Sequence, residues 1–165
     1  MSQQYILLFV FIVCFCLLLL VKKLLKLPSD KLPYEKKQYI LSQAEHSFFE
    51  VLQGILGNNF YIFPQVNLDK FIYIHKGTGK YQSYYHRINQ YSVDFLICDR
   101  TKISPLLAIE LDDSSHTLTN RVERDNFINQ VFTDANIPLL RESFRQSYNL
   151  QELGLRIQDK LNNRA

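Results

Sequence analysis

The sequence has few cysteines, no internal repeat and no glycine-rich phosphate loop, and each shortage excludes a class of protein. Its three cysteines are Cys14, Cys16 and Cys98, and no CxxC pair occurs. A disulfide framework is therefore excluded, and the polar part of the chain is typical of a reducing compartment. The G-T-G at residues 77–79 is predicted to form a turn with no helix after it, so it does not indicate nucleotide binding.

An excess of charge is also lacking outside one short segment. The formal net charge is +3, and Lys22, Lys23 and Lys26 account for all of it. From Pro28 onward, 16 basic residues balance 16 acidic residues. A nucleic-acid partner therefore cannot be inferred from overall charge, and any basic footprint has to be local.

One long apolar run is present, from Tyr5 to Val21, without a charge or a helix breaker. Its 17 residues are the lower limit for crossing a bilayer. A cleaved signal peptide would have a basic start and a small-residue cleavage site, and M-S-Q-Q and V-K-K-L-L-K supply neither. We expect a retained single anchor at residues 1–27, with the lysines after the run holding the rest of the chain in the cytoplasm.

A polar segment with two prolines, residues 28–37, is expected to link the anchor to one domain at residues 38–165. Hydrophobic patterns order that domain as helix, strand, an uncertain segment, two strands, helix, strand and helix. This order predicts an α/β or α+β sandwich around a small mixed sheet. Pro64 places the first strand at an edge of the sheet or at a bulge, and the helix after the paired strands is expected at residues 117–135.

Two buried strands joined by a short turn are predicted between Ser92 and Asp113, and three acids interrupt them. Asp94 lies in the first strand, while Glu110 and Asp112 lie two apart at the end of the second and therefore share one face. If the strands are neighbours, the three carboxylates come within reach of one Mg²⁺ or Mn²⁺ ion. Ion pairs with lysine or arginine are the competing interpretation.

Two further features have both a structural and a functional interpretation. Ser42 and Glu45 fit a capping box in the first helix of the domain, residues 40–56, which is a structural role for Glu45. The aromatic and basic run from Tyr81 to Arg87 suits stacking on bases and contact with phosphates. The same run also suits an amphipathic surface segment with half-buried rings.

Six motifs, in their order along the chain, resemble the bacterial domain of unknown function 2726. They are L-S-Q-A-E-H-S-F-F, F-P-Q-V, V-D-F-L-I-C-D, A-I-E-L-D-D-S-S-H, E-R-D-N-F and I-P-L-L-R. That family is similar to the PD-(D/E)XK, restriction-endonuclease-like superfamily, especially to its very-short-patch repair endonucleases. The resemblance implies an α/β fold, with a restriction-endonuclease-like α-β-β-β-α-β core around a small mixed sheet. In this chain, we expect one N-terminal transmembrane helix to precede that core.

Carried onto this sequence, the resemblance implies that Asp94 and Glu110 bind Mg²⁺ or Mn²⁺, with Glu110 as the acid of the E-x-K strand. Glu45 matches the acid of the first helix. Gln65 lies where related nucleases sometimes carry a glutamine near the site. The lysine position is occupied by Asp112, so the strand reads E-L-D.

The missing lysine normally orients the attacking water and stabilises charge. In the very-short-patch branch, a histidine follows the acidic strand at the spacing of His116. That residue is therefore the expected base, with Asp125 in E-R-D as a helper, and histidine has an unperturbed pKa suited to the task. Alternatively, His116 caps the following helix or is solvated, and the domain is a degenerate copy that only binds.

The expected function is metal-dependent endonuclease cleavage of DNA at the cytoplasmic face of the bacterial inner membrane. A catalytically inactive module that binds nucleic acid or a protein at the membrane is the alternative. Positive charge for phosphate would come from the helix after the acidic strand and from the segment before the paired strands. The residues expected to contact nucleic acid are Arg121, Arg124, Lys76, Lys80 and Arg87.

Overall fold

The computed structural model describes residues 3–24, 32–112 and 119–163. The chain divides into two compact units, residues 1–38 and 39–165. In the first unit, helix α1 (Gln3–Leu24) contains the apolar run, and its span Gln3–Lys23 is long and apolar enough to cross a membrane. The expected apolar helix of membrane-spanning length is therefore confirmed.

In the second unit, the described residues form a mixed α/β fold with four further α-helices and four strands. The strands form a sheet in the order β1-β2-β3-β4. The helices are α2 (Gln43–Leu56), α3 (Tyr81–Ile88), α4 (Thr119–Asp134) and α5 (Leu150–Asn162), and the strands are β1 (Phe60–Asn67), β2 (Ser92–Asp99), β3 (Pro105–Asp112) and β4 (Leu139–Ser143).

The sheet is mixed because its last pair of strands runs in parallel. β1 pairs antiparallel with β2 and β2 antiparallel with β3, whereas β3 and β4 are parallel. Antiparallel neighbours can be joined by a short turn, but a parallel pair needs a crossover, which α4 provides here. The small mixed sheet expected from the sequence is therefore confirmed.

Two hydrophobic clusters pack against the sheet. The first joins α2 and α5 to it and includes Phe48, Ile97 and Ile157, while the second joins α3 and α4 to it and includes Leu96 and Phe132. Successive residues of a strand point to opposite faces, so the separate clusters of Leu96 and Ile97 place the two helix pairs on opposite sides of the sheet. The sheet is thus the middle of three layers.

Two local sequence signals, the capping box and the proline of the first strand, produce the structures that they predict. The Ser42 Oγ accepts the Glu45 backbone N–H at 3.3 Å, and the Glu45 Oε2 accepts the Ser42 backbone N–H at 2.6 Å, which completes the capping box at the start of α2. Pro64 lies in β1, which is an edge strand. An edge strand tolerates proline because it leaves one row of backbone groups unpaired.

The expectation that no helix follows G-T-G is wrong, because α3 begins at Tyr81. Its start carries no capping signal, since Lys80, the residue before it, has a left-handed φ of 60° and no side-chain cap. Its hydrophobic signal is also short, because Ile88 in the last turn is the residue that it buries. The predicted start of the next helix at residue 117 lies outside the described residues, and α4 is described from Thr119.

Candidate functional site

The acidic residues meet where the start of β2 lies beside the end of β3. Because these strands are antiparallel and Phe95 pairs with Ile109, Asp94 and Glu110 are neighbours across the two strands. Asp112 lies two residues further along β3, level with Ser143 of β4. The register therefore makes Asp94 and Glu110 neighbours with Asp112 further along β3, but these three described carboxylates do not form a group arranged to hold one ion, so that expectation is wrong.

Regular strand geometry is interrupted at this place. Gln65 of β1 has a φ of 53°, which is uncommon for a residue other than glycine, and it lies opposite Asp94 in the β1–β2 register. In β2, Val93 packs in the second cluster and Phe95 in the first, although residues two apart on a regular strand share a face. Left-handed backbone of this kind concentrates at functional sites.

Both carboxylate oxygens of Asp94 accept hydrogen bonds. Oδ2 accepts the Leu111 backbone N–H at 2.7 Å, and Oδ1 accepts the Gln65 Nε2 at 3.4 Å. Burial raises the pKa of Asp94 above its ordinary value, and the Leu111 N–H opposes that rise. The charges of Glu45 and Asp112 raise the pKa further. Asp94 is therefore well oriented but lies in a place that disfavours its charge.

The pKa of Glu110 is also raised, and more strongly than that of Asp94. Burial first, and the charge of Asp94 second, raise the pKa of Glu110 to about 7. The guanidinium groups of Arg141 and Arg124 act to lower that pKa and compensate only in part. Asp94 and Glu110 are thus close enough for the charge of one to disfavour the charge of the other.

Glu45 connects the start of α2 to this pair. Its Oε1 accepts the Gln65 Nε2 at 2.5 Å, while its Oε2 takes part in the capping box. A glutamine amide has two N–H donors, and here one is directed to Glu45 and the other to Asp94. The capping role and a role at the site are therefore compatible, because each uses a different oxygen.

Arg141 is a member of the site that sequence reasoning missed. It lies directly beside Glu110, its partner in the parallel β3–β4 register. Its Nη1 is 3.8 Å from Asp112 Oδ1 and its Nη2 is 3.7 Å from Asp125 Oδ1, and the same Nη2 donates to Asn129 Oδ1 at 3.4 Å. The available signal is the final arginine of I-P-L-L-R, which the resemblance includes without a role. Asp125 therefore reaches the site through Arg141.

The basic residues expected to contact nucleic acid divide into two groups. Arg124 acts electrostatically on Glu110, and its Cζ lies 5.4 Å from the centre of the Tyr91 ring. Arg87 is exposed in the last turn of α3. Lys76 and Lys80 are exposed in the segment before α3, and none of the described contacts joins them to the carboxylates.

The aromatic run forms most of α3, and its tyrosine rings differ in exposure. Tyr81 and Tyr84 are exposed, whereas Tyr85 is half-buried. The Tyr81 and Tyr85 rings stack on each other with their planes 5° apart. A tyrosine hydroxyl also holds the helix, because Tyr85 donates to Asp69 Oδ2 at 3.3 Å.

His116, the expected base, lies outside the described residues, as does the side chain of Arg121. Within residues 3–24, 32–112 and 119–163, no group of three or more His, Cys, Asp or Glu side chains is arranged to hold a metal ion. Mg²⁺ is commonly held by one or two carboxylates, with water and substrate phosphate as its other ligands. Asp94 and Glu110 fit that requirement, because a cation would favour the charged form of Glu110, which burial first and the charge of Asp94 second disfavour by raising its pKa.

Fold and site together define a mixed α/β domain with an acidic site at the meeting point of three strands. Residues 37–161 match the family described as a protein of unknown function, DUF2726, and the chain belongs to that family. The resemblance of the motifs to the domain of unknown function 2726 is therefore confirmed. No curated protein and no solved structure matches the chain.

Proposed function

We propose that the chain is a membrane-anchored, divalent-metal-dependent nuclease-like protein that hydrolyses DNA phosphodiester bonds. One observation carries the proposal: Asp94 and Glu110 come from neighbouring strands, and burial raises the pKa of both. Two carboxylates that burial makes unfavourable to charge, with the charge of Asp94 also raising the pKa of Glu110, suit a shared divalent cation. Helix α1 would be the anchor, and the lysines at its end, Lys22 and Lys23, would keep the domain in the cytoplasm.

The order of elements supports a restriction-endonuclease-like core. Elements α2, β1, β2, β3, α4 and β4 follow the α-β-β-β-α-β order that the resemblance implies, with α3 inserted between β1 and β2. The two metal-binding acids of that resemblance correspond to Asp94 on β2 and Glu110 on β3, and Glu45 corresponds to the acid on the first helix. These elements meet at one end of the sheet, as a shared site requires.

The residues of the chain have separate tasks in this proposal. Asp94 and Glu110 would hold Mg²⁺ or Mn²⁺, which when bound polarises phosphate and lowers the pKa of water. Gln65 orients the Asp94 carboxylate through its amide. Arg141, beside Glu110 on β4, would supply the positive charge that the lysine of the E-x-K strand provides elsewhere. His116 would take the proton from the attacking water.

The first prediction tests cation binding by Asp94 and Glu110. It compares two Asp→Asn substitutions on β2, one at the site and one as a control. Asp94→Asn keeps the shape of the side chain but removes the negative charge that a cation needs. We expect Mg²⁺ or Mn²⁺ affinity to fall by more than about a hundredfold and plasmid nicking to fall to background. Isothermal titration calorimetry and nicking assays on the full chain in neutral detergent measure both quantities.

Asp99→Asn is the matched control, since Asp99 ends the same strand and binds the backbone of a turn. It should leave cation binding and nicking unchanged. Equal losses in the two variants would contradict a site at Asp94. A wild-type chain that neither binds these cations nor nicks DNA would contradict the proposed activity as a whole.

The second prediction concerns the base. We expect His116→Ala to lower the nicking rate by about a hundredfold while leaving Mg²⁺ affinity nearly unchanged, because a general base acts on water rather than on the cation. Another histidine, His75, offers a control, since it lies in the segment before α3 and its ring lies against Tyr73. If His116→Ala cuts as fast as the wild type, Asp112 or Glu45 becomes the next candidate for the base.

A binding-only module is the second candidate function, and the state of Asp112 favours it. This residue occupies the lysine position of the motif and lies 3.8 Å from Arg141 in an ion pair. A carboxylate neutralised by a neighbouring arginine fits a domain that has exchanged catalysis for binding. In that case, the chain would bind DNA equally well with and without divalent cations and would not cut it.

A further inference from the structure

Two arginines lie over two aromatic rings beside the candidate site, and we call Arg87, Tyr91, Arg124 and Phe127 the arginine–aromatic strip. The Arg87 Cζ is 3.8 Å from the centre of the Phe127 ring, and the Arg124 Cζ is 5.4 Å from the centre of the Tyr91 ring. The Tyr91 and Phe127 ring centres are 5.8 Å apart, with their planes at 48°. The four side chains therefore form one continuous arrangement.

Three separate parts of the fold build the strip. Arg87 comes from the last turn of α3, Tyr91 from the residue before β2, and Arg124 and Phe127 from α4. Residues three apart on a helix lie on the same face, which brings Arg124 and Phe127 together. The rings are half-buried against the second hydrophobic cluster, whereas both arginines are exposed. Packing therefore fixes the rings, and the rings restrict the guanidinium groups that lie over them.

The strip also lies close to the acidic pair. Tyr91 is three residues before Asp94, a distance of about 10 Å along an extended chain. Arg124 is near enough to Glu110 for its charge to lower the pKa of that carboxyl. A strand of nucleic acid with a phosphate at the acidic pair would pass beside the strip.

The chemistry of the strip selects phosphate over bases. A guanidinium group already lies over one face of each ring, so those faces are not available for stacking on a base. A guanidinium has five N–H donors in a planar fork that matches phosphate oxygens. Restricting that fork in advance lowers the entropy lost when phosphate binds.

We propose that the arginine–aromatic strip binds backbone phosphates of the nucleic-acid strand that enters the acidic pair, without reading its bases. The inference rests on the proposed function and adds the mode of substrate binding. It also reconciles a nucleic-acid substrate with a domain in which basic and acidic residues balance. A local pair of restricted arginines would replace an overall basic charge.

The test measures DNA binding separately from cutting. The full chain in neutral detergent is titrated by fluorescence anisotropy with labelled single-stranded DNA in EDTA, at NaCl concentrations from about 50 to about 300 mM. We compare the wild type, the double variant Arg87→Gln/Arg124→Gln and the control Arg100→Gln. Arg100 is a matched control because its Cζ also lies over a ring, 4.3 Å from the centre of Tyr61, beyond the opposite end of β2.

Each phosphate contact by an arginine contributes about 0.7 to the slope of log K against log salt for single-stranded DNA. The double variant should therefore lower that slope by about 1.4 and weaken binding by tenfold or more, roughly, at low salt. Arg100→Gln should change neither quantity. Replacing a mixed sequence by oligo-dT should alter wild-type affinity by less than about threefold, because phosphate contacts carry no base information.

Phe127→Leu separates the ring from the charge. It keeps both arginines but removes the surface over which Arg87 lies, so affinity should fall by about twofold to fivefold with an unchanged salt slope. An unchanged salt slope in the double variant would contradict phosphate binding by the strip. An equal loss of DNA affinity in Arg100→Gln would contradict it as well. An affinity that varies more than about tenfold between the two DNA sequences would also overturn it.

The experiments distinguish an error in the phosphate-binding role of the strip from an error in the proposed function. A chain that cuts DNA while the double variant keeps the wild-type slope contradicts the strip alone. A chain that shows the expected slopes but never cuts contradicts the proposed catalysis and supports the strip. A wild-type chain without measurable DNA binding at low salt contradicts both.

Discussion

Two glutamates on neighbouring strands of the sheet have opposite electrostatic surroundings. Glu142 of β4 is 2% exposed and pairs with one arginine of α5: Arg156 Nη1 lies 2.5 Å from its Oε1, and Arg156 Nη2 donates to its Oε2 at 3.2 Å. Glu110 of β3 is surrounded by other acids, and its two nearby arginines compensate only in part. Glu142 is fully buried and Glu110 half-buried, so both are partly or wholly removed from water, and the larger difference lies in how completely each charge is matched.

That difference separates a structural acid from a candidate functional one. The Glu142 charge is matched within the protein by the Arg156 guanidinium, which donates to Oε2, so the carboxylate needs no ligand to balance its charge even though its Oε1 has no hydrogen-bond partner. A carboxylate whose pKa is raised to about 7 by burial and by Asp94 has no such balance, so a proton or a cation has to supply it. Functional sites are where unbalanced charges of this kind are expected.

The largest change in the free energy of unfolding should come from breaking the ion pair between Glu142 and Arg156. Arg156→Leu leaves the Glu142 carboxylate buried without its partner, and we expect the free energy of unfolding to fall by about 3–5 kcal/mol. Urea unfolding of residues 39–165, which contain both hydrophobic clusters, measures this loss by circular dichroism. The double variant Glu142→Leu/Arg156→Leu should recover most of it, because no unpaired charge remains. A double variant as unstable as the single one would show that the pair contributes more than its charges.

Removing the charge of Glu110 should raise the free energy of unfolding, whereas Arg156→Leu lowers it. Because the folded pKa of Glu110 is about 7, above its ordinary 4.5, its contribution makes wild-type stability fall as pH rises from about 4.5 to about 7. Glu110→Gln removes this dependence, so without divalent cations the variant should be more stable at pH 8 by about 1–3 kcal/mol. Mg²⁺ should then stabilise the wild type but not the variant.

The exposed Glu50 of α2 provides the control for this substitution. Glu50→Gln should change the free energy of unfolding by less than about 0.5 kcal/mol at either pH, as surface substitutions usually do. If Glu110→Gln destabilises the chain at pH 8, Glu110 is a structural acid like Glu142, and the contrast between the two glutamates disappears.

Features that depend on near neighbours in sequence could be predicted. The S-x-x-E spacing of Ser42 and Glu45 defines both hydrogen bonds of the capping box, because both partners lie in one helical turn. Asp94 and Glu110 interrupt apolar runs on either side of one turn, so antiparallel pairing makes them neighbours. The turn brings the two strands together without a distant segment, although an irregularity between Ile97 and Cys98 shifts their register before it reaches the pair, and no sequence signal predicts that shift.

Features that depend on distant segments could not be predicted in this way. Arg141 becomes the neighbour of Glu110 only because β4 returns parallel to β3, and hydrophobic runs do not specify that order. The left-handed φ of Gln65 has no sequence signal, because glutamine is not a residue that favours it. The Arg87 contact with Phe127 requires α3, whose start lacks a cap.

The smallest expected effect compares two aspartates on one strand. Asp99 at the end of β2 accepts three backbone N–H groups of the following turn: Thr101 at 2.8 Å, Lys102 at 2.7 Å and Ser104 at 2.7 Å. These hydrogen bonds, that of Lys102 foremost, lower the pKa of Asp99 to about 2, whereas burial raises the pKa of Asp94. The pKa values of two aspartates, one at each end of β2, are thus shifted in opposite directions.

The sign of each effect follows from linkage. The folded pKa of Asp99 lies below its ordinary 3.8, so its contribution to stability is present above about pH 3.8 and is lost as pH falls through about 2. Asp99→Asn should therefore lower the urea midpoint slightly at pH 7 and flatten its acid dependence, since Asp99 lies at the surface. Asp94→Asn should raise the midpoint at pH 7 without divalent cations, because it removes a disfavoured charge while its amide oxygen can still accept a hydrogen bond. Urea midpoints of the two variants from about pH 7 to about pH 3 test this contrast, and shifts of the same sign at pH 7 would contradict it.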